Sequence, residues 1–140
     1  MKENNVFSFT VNYNGTELKG GCVYGVEDMV VSLNLPNLVI TALGFFPFEP
    51  TVEEIKEQAK NLLIELYNDY NLIILHKEEI KAALPDFEKK RGALIESEGR
   101  QNGEAKVGML FSRMIREIIG KWCCIDAMEA KVTGIISELE

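Results

Sequence analysis

The dipeptide Asn14-Gly15 constrains the fold of this chain more than any other feature. It stands between two runs in which apolar and polar residues alternate. Asn-Gly is the pair best suited to a two-residue type I′ turn, where both central residues take positive φ. Such a turn pairs Tyr13 with Thr16, Val11 with Leu18, Phe9 with Gly20 and Phe7 with Cys22. Those partners all fall on one face, with Ser8, Thr10 and Asn12 on the other, as a register with one buried face requires.

Glu27-Asp28 marks the next reversal. A tight turn there pairs Val26 with Met29, Tyr24 with Val31, Cys22 with Leu33 and Gly20 with Leu35, which carries the apolar face onto a third strand. Glu-Asp suits positive φ poorly, so the alternative is a longer turn and a slipped register. Gly20 and Gly21 read as a bulge or as bare backbone under Phe9; close approach of a ligand is the lesser reading. After Pro36, "NLVITALG" fits a fourth strand or a short helix, and β-branched Val39, Ile40 and Thr41 favour strand. "FFPFEP" suits no regular element. It reads as a loop over the sheet edge, with a partner-binding patch as the alternative.

The pattern then changes period. Thr51-Val52-Glu53-Glu54 is a capping box, and Ile55, Ala59, Leu62, Leu63, Leu66, Tyr67 and Tyr70 recur behind it at helical spacing. This predicts a helix laid on the sheet. "LIIL" (72–75) is too short to assign and fits a strand or a buried turn. A further helix is expected from Lys77 to Leu84, interrupted at Pro85, with the next one ending near Gly99. From Val107 to Leu139 apolar residues keep helical spacing, which predicts one long C-terminal helix bent at Gly120. The expected fold is therefore α+β: one domain over 1–140, with a three- or four-stranded antiparallel meander over 1–48 and a helical part over 51–140.

Charge narrows the partners. The chain carries 22 acidic and 15 basic residues, a net −7. Residues 1–70 hold 10 acids and 4 bases, and residues 71–140 hold 12 and 11. An acidic surface repels phosphate backbones, which disfavours nucleic acid as a partner. The longest apolar run, Leu38 to Phe48, is far below the roughly 20 residues of a membrane span. "MKENNVFSF" has no apolar core of a secretory signal, so a cytoplasmic location is expected. Three cysteines, two of them adjacent, give no disulfide framework.

No catalytic or cofactor constellation assembles. His76 is the sole histidine and reads as a helix-boundary residue, and no serine sits in a nucleophile elbow. Glu53-Glu54 and Glu78-Glu79 fall in helix first turns, where acids serve the dipole, although a small enzyme working through carboxylates stays a third alternative. Cys22, His76, Cys123 and Cys124 lack the spacing of a zinc knuckle, so no metal site and no cofactor are expected.

The glycine-rich window "ESEGRQNGEAKVG" (96–108) matches no phosphate loop and reads as an exposed connector between helices. Basic residues beside it keep a binding role open: Lys89, Lys90, Arg91 and Arg100 lie in residues 77–116, which carry nine bases and seven acids. The expectation is a non-catalytic binding protein, an adaptor or inhibitor acting by contact with another protein. The alternative is a binder of an anionic small molecule or nucleotide near the basic 89–100 segment. Leftover apolar residues of the C-terminal stripe predict a homodimer interface at Met114, Ile118, Trp122 and Ile125.

Overall fold

A computed structural model of the protein describes residues 5–140. Residues 1–4, which include part of the stretch read for a signal sequence, lie outside the described residues. Four strands come first, β1 (Asn5–Tyr13), β2 (Thr16–Tyr24), β3 (Asp28–Asn34) and β4 (Val39–Phe45). Three helices follow, α1 (Val52–Leu75), α2 (Lys77–Ile119) and α3 (Glu129–Leu139). The α+β expectation holds. The chain divides into two compact units whose boundary, Asn68/Asp69, falls inside α1.

In the first unit the strands form one antiparallel sheet in the order β1-β2-β3-β4. Asn14 and Gly15 take φ of 51° and 81°, and the β1–β2 register matches the one expected, from Tyr13↔Thr16 to Phe7↔Cys22. The second hairpin differs. Tyr24 pairs with Met29, Cys22 with Val31 and Gly20 with Leu33, two residues away from the tight-turn register. Glu27-Asp28 does not supply the positive φ values a two-residue turn demands. The chain reverses instead through a wider loop, closed by Gly25 N–H donating to the Asp28 carbonyl at 2.9 Å. A slip of two preserves the side-chain period, so the same residues still face inward.

The ambiguous 37–44 stretch lies mostly in β4, paired from Asn34↔Val39 to Asp28↔Phe45. The ladder passes through Gly20 and Gly21 without a bulge, which corrects that part of the reading. A Cβ on Gly20 would stand 2.8 Å from Leu63 Cδ1, so this glycine admits the helix side chain. Val11, Leu18, Cys22, Met29, Val31, Leu33, Ile40 and Ala42 are buried on the inner face. Over them lie Ile55, Ala59, Leu63 and Leu66 of α1, themselves buried. The capping box forms as expected: Thr51 N–H donates to Glu54 Oε1 at 2.9 Å, and Glu54 N–H to Thr51 Oγ1 at 3.2 Å. Accepting from the Thr51 backbone N–H and from the Thr51 side chain holds the Glu54 carboxyl below its ordinary pKa. Burial pushes the Cys22 thiol up to about 11.

Residues 72–75 are the last turn of α1, neither a strand nor a turn between helices. Ile73 is buried and lies beside Phe111, Ile115 and Ile135 of the second unit. His76 alone separates α1 from α2, with Nδ1 2.8 Å from the Leu72 carbonyl oxygen.

The second unit, from Asp69 onward, is built on α2, which is two arms rather than one rod. Only Gly99 leaves helical conformation, at φ 77° and ψ 159°, and it separates an arm over 77–98 from an arm over 100–119. Pro85 does not interrupt the first arm. Pro85 and Lys81, whose carbonyl the missing N–H leaves unbonded, are both exposed, so water can serve that oxygen. The arms fold back on each other antiparallel. Lys106 bridges to Glu98 at 2.7 Å, Ile95 packs on Gly103, and Phe87 meets Phe111 edge-on with centroids 5.6 Å apart.

Two expectations fall here. The 96–108 window is not an exposed connector, because the second arm starts at Arg100 and Gly103, Val107 and Gly108 are buried. Nor is 107–139 one bent helix. Gly120, at φ 84°, caps the second arm by donating its N–H to the Arg116 carbonyl at 2.8 Å, and residues 120–128 are not helical. This connector returns across the second arm at Gly108, where a Cβ would collide with the Ala127 carbonyl. Val132, Ile135 and Leu139 of α3 complete a core with Ile80, Phe87, Val107, Phe111 and Ile115.

Candidate functional site

The 120–128 connector is held by a buried carboxylate. Asp69, fully buried near the end of α1, accepts from Lys121 Nζ at 2.7 Å on one oxygen and from the Cys124 backbone N–H at 2.8 Å on the other. Trp122 lies between these two anchor points. Its ring takes the Arg116 guanidinium at 4.8 Å from the centroid, yet half of the residue stays exposed (51%). Trp122 borders a cavity of about 390 Å³ together with Met109 and Met128, both also exposed. A large aromatic is thus presented to solvent from backbone fixed on either side, next to two adaptable thioether side chains.

A second concavity runs between the arms of α2, with a volume of about 570 Å³. The first arm lines it with Lys90, Ala93, Leu94 and Ser97, and the second with Lys106, Met109, Leu110 and Arg113. Each set has the spacing i, i+3, i+4, i+7, which places all four on one side of its helix over two turns, or about 10 Å. The floor is aliphatic, three cations stand along it, and no carboxylate lines it. Lys90 is paired outside with Asp86 at 3.0 Å and Lys106 with Glu98 at 2.7 Å. Exposed Arg113 has no ion-pair partner among the described residues.

The basic residues singled out from sequence separate in the structure. Lys90 lines the groove. Lys89 is exposed but does not line it. Arg91 is committed to packing: it donates to Glu88 Oε1 at 3.2 Å and to Thr133 Oγ1 at 2.6 Å, which ties the first arm to α3. Arg100 is exposed just past the Gly99 break. Of the four interface residues, Trp122 is exposed, Met114 and Ile118 are half-buried, and Ile125 is buried at 7% exposure. Sequence reading missed Lys106, Met109, Leu110 and Arg113 as a group, although their spacing mirrors that of Lys90 to Ser97. That signal is usable only once Gly99 is known to fold one set against the other.

The first unit offers a different exposed surface. Val6, Val23, Val30 and Leu43 lie in a single cross-strand row on the outer face of the sheet, and all four are exposed. Behind them runs a row of Ser8, Gly21, Ser32 and Thr41. Phe45 and Phe48, from the aromatic-proline stretch, are 70% and 83% exposed.

No protein-family model matches this chain, and no curated protein or solved structure is significantly similar to it. No helix among the described residues is long and apolar enough to cross a membrane.

Proposed function

We propose that this is a non-catalytic binding protein, an adaptor or inhibitor that works by contact with another protein, with Trp122 at the centre of the contact. The observation that carries the reading is the half-exposed Trp122 ring on a connector pinned through Lys121 and Cys124 by buried Asp69. A side chain on fixed backbone loses little freedom when a partner closes over it. Tryptophan is also the residue type that most often dominates such contacts. Met109 and Met128 beside it supply apolar area that can repack around a partner.

The first partner proposed is a second copy of the chain, joined across a two-fold axis so that each Trp122 meets the same surface of its mate. Sedimentation of the full chain over a range of concentrations tests this. The expected mass approaches that of two chains at high micromolar concentration, and Trp122→Ala keeps it at one. Wild-type protein that stays single at the highest concentration removes the homodimer.

A further inference from the structure

The geometry points to a ligand site in the groove between the α2 arms that takes an aliphatic chain bearing an anionic head group, a carboxylate or a phosphate. Arg113 and Lys90 hold the head, and Leu94, Met109 and Leu110 hold the chain. This goes beyond the Trp122 contact and does not depend on it.

Three properties select the class. The first is size: about 570 Å³ lies inside the range of small-molecule sites. The second is charge. This chain is acidic as a whole, yet the groove lining holds three cations and no carboxylate. Lys90 and Lys106 each keep an outer carboxylate partner, whereas Arg113 has none among the described residues, so its planar fork can meet two oxygens of an incoming anion. Lys90 and Arg113 also line the adjoining cavity with Asp86 and Glu117, which places both cations at one end of the aliphatic floor. Head and tail positions are thereby separated along the groove. The third is shape and lining. No aromatic ring lines the groove to stack a base, which disfavours a nucleotide. Two turns per arm suit a short alkyl chain better than a long partner helix. Met109 and Leu94 can shift rotamers around chains of different length, and Ser97 at the far end has a hydroxyl that water can reach.

The test is methyl NMR on the full chain labelled at methionine, with the Met109 signal assigned through Met109→Leu. Decanoate and decyl phosphate are titrated below their micelle concentrations, with decanol and decyltrimethylammonium as controls. The expected result is a saturable shift of the Met109 methyl with one or both anions and at least tenfold weaker binding of both controls. Decanoate alone assigns a carboxylate head, decyl phosphate alone a phosphate. Arg113→Gln, on an exposed side chain, should weaken anion binding about tenfold, as loss of a charge-assisted contact implies. Lys90→Gln should weaken it less, because Asp86 already shares that charge. The proposal is overturned if neither anion gives a saturable shift, if decanol binds as well as the anions, or if Arg113→Gln changes nothing. An unfolded variant would show in the other methionine signals, and Arg113→Met then replaces it with the same criterion. Arg113 and Lys90 lie outside the Trp122 cavity, so self-association of the Arg113 and Lys90 variants read in parallel distinguishes failure here from failure of the contact above.

Discussion

Each of the two units holds itself together internally by different means. In the first, strands meet through long ladders and the core through interdigitated side chains, with backbone left bare mainly at Gly20 under Leu63. In the second, the chain approaches itself closely at Gly103 and Gly108, and one buried carboxylate fastens the connector. A ladder can slip by two residues and keep its buried face, as the β2–β3 hairpin did relative to a tight turn. A collision between backbone and a new Cβ has no such alternative register. The second unit should therefore be the more sensitive to single changes. The surfaces differ in parallel: the sheet's apolar row is bordered by small neutral residues, the groove by cations. Of the two, only the groove carries charged side chains in its lining.

The sharpest test of that contrast is Gly108→Ala. Its methyl group would strike the Ala127 carbonyl, so the connector must move, and the expected loss is about 3 kcal/mol in chemical denaturation. Gly92→Ala, in the same helix with open space around it, should be neutral or stabilising by about 0.5 kcal/mol. Equal midpoints for the two variants would break the comparison.

Next comes Asp69→Ala, which leaves the Cys124 N–H without its carboxylate acceptor and removes the Lys121–Asp69 ion pair. A loss of roughly 2 kcal/mol is expected. Trp122 fluorescence should shift as the connector loosens, an effect that a simple cavity elsewhere would not produce.

In the first unit the effects should be smaller. Gly15 has φ of 81° with nothing near its missing Cβ, so Gly15→Val should cost roughly 1–2 kcal/mol through backbone strain alone. A cost above that of Gly108→Ala would reverse the ranking of the two units.

The smallest effect is Thr51→Ala at the capping box, about 1 kcal/mol near neutral pH. The Glu54 carboxyl titrates below its ordinary value of 4.5 in the folded state, because it accepts from the Thr51 backbone N–H and side chain. Its contribution is present above 4.5 and is lost as pH falls through the depressed folded value. The gap between Thr51→Ala and wild type in thermal melts should accordingly narrow in acid. A gap independent of pH would separate the cap from the carboxylate.

The first hairpin was legible to the residue because Asn14-Gly15 specifies both its turn and its register locally. The start of α1 was legible for the same reason, through Thr51 and Glu54. The candidate site was not. Lys90 was visible as part of a basic run, but Lys106 and Arg113 were not, since a groove between two helices needs both arms. Arg91 looked equivalent to Lys90 in sequence, yet Thr133, 42 residues away, takes up its guanidinium.

Elements governed by neighbouring residues were therefore decided by the sequence itself: the type I′ turn, the alternation of the strands, the capping box and the helical period. Tertiary structure decided where helical pattern stops being helix. Val107 to Leu139 keeps its apolar spacing throughout, yet the helix ends at Gly120, and the connector recrosses the second arm at Gly108 under the hold of Asp69. The spacing of apolar residues reports which face is buried. It does not report whether the partner that buries it is another element or the same chain returning, because both satisfy the same hydrophobic requirement. Close backbone contact and a buried hydrogen-bonded carboxylate settle that choice, and both join residues far apart in the chain.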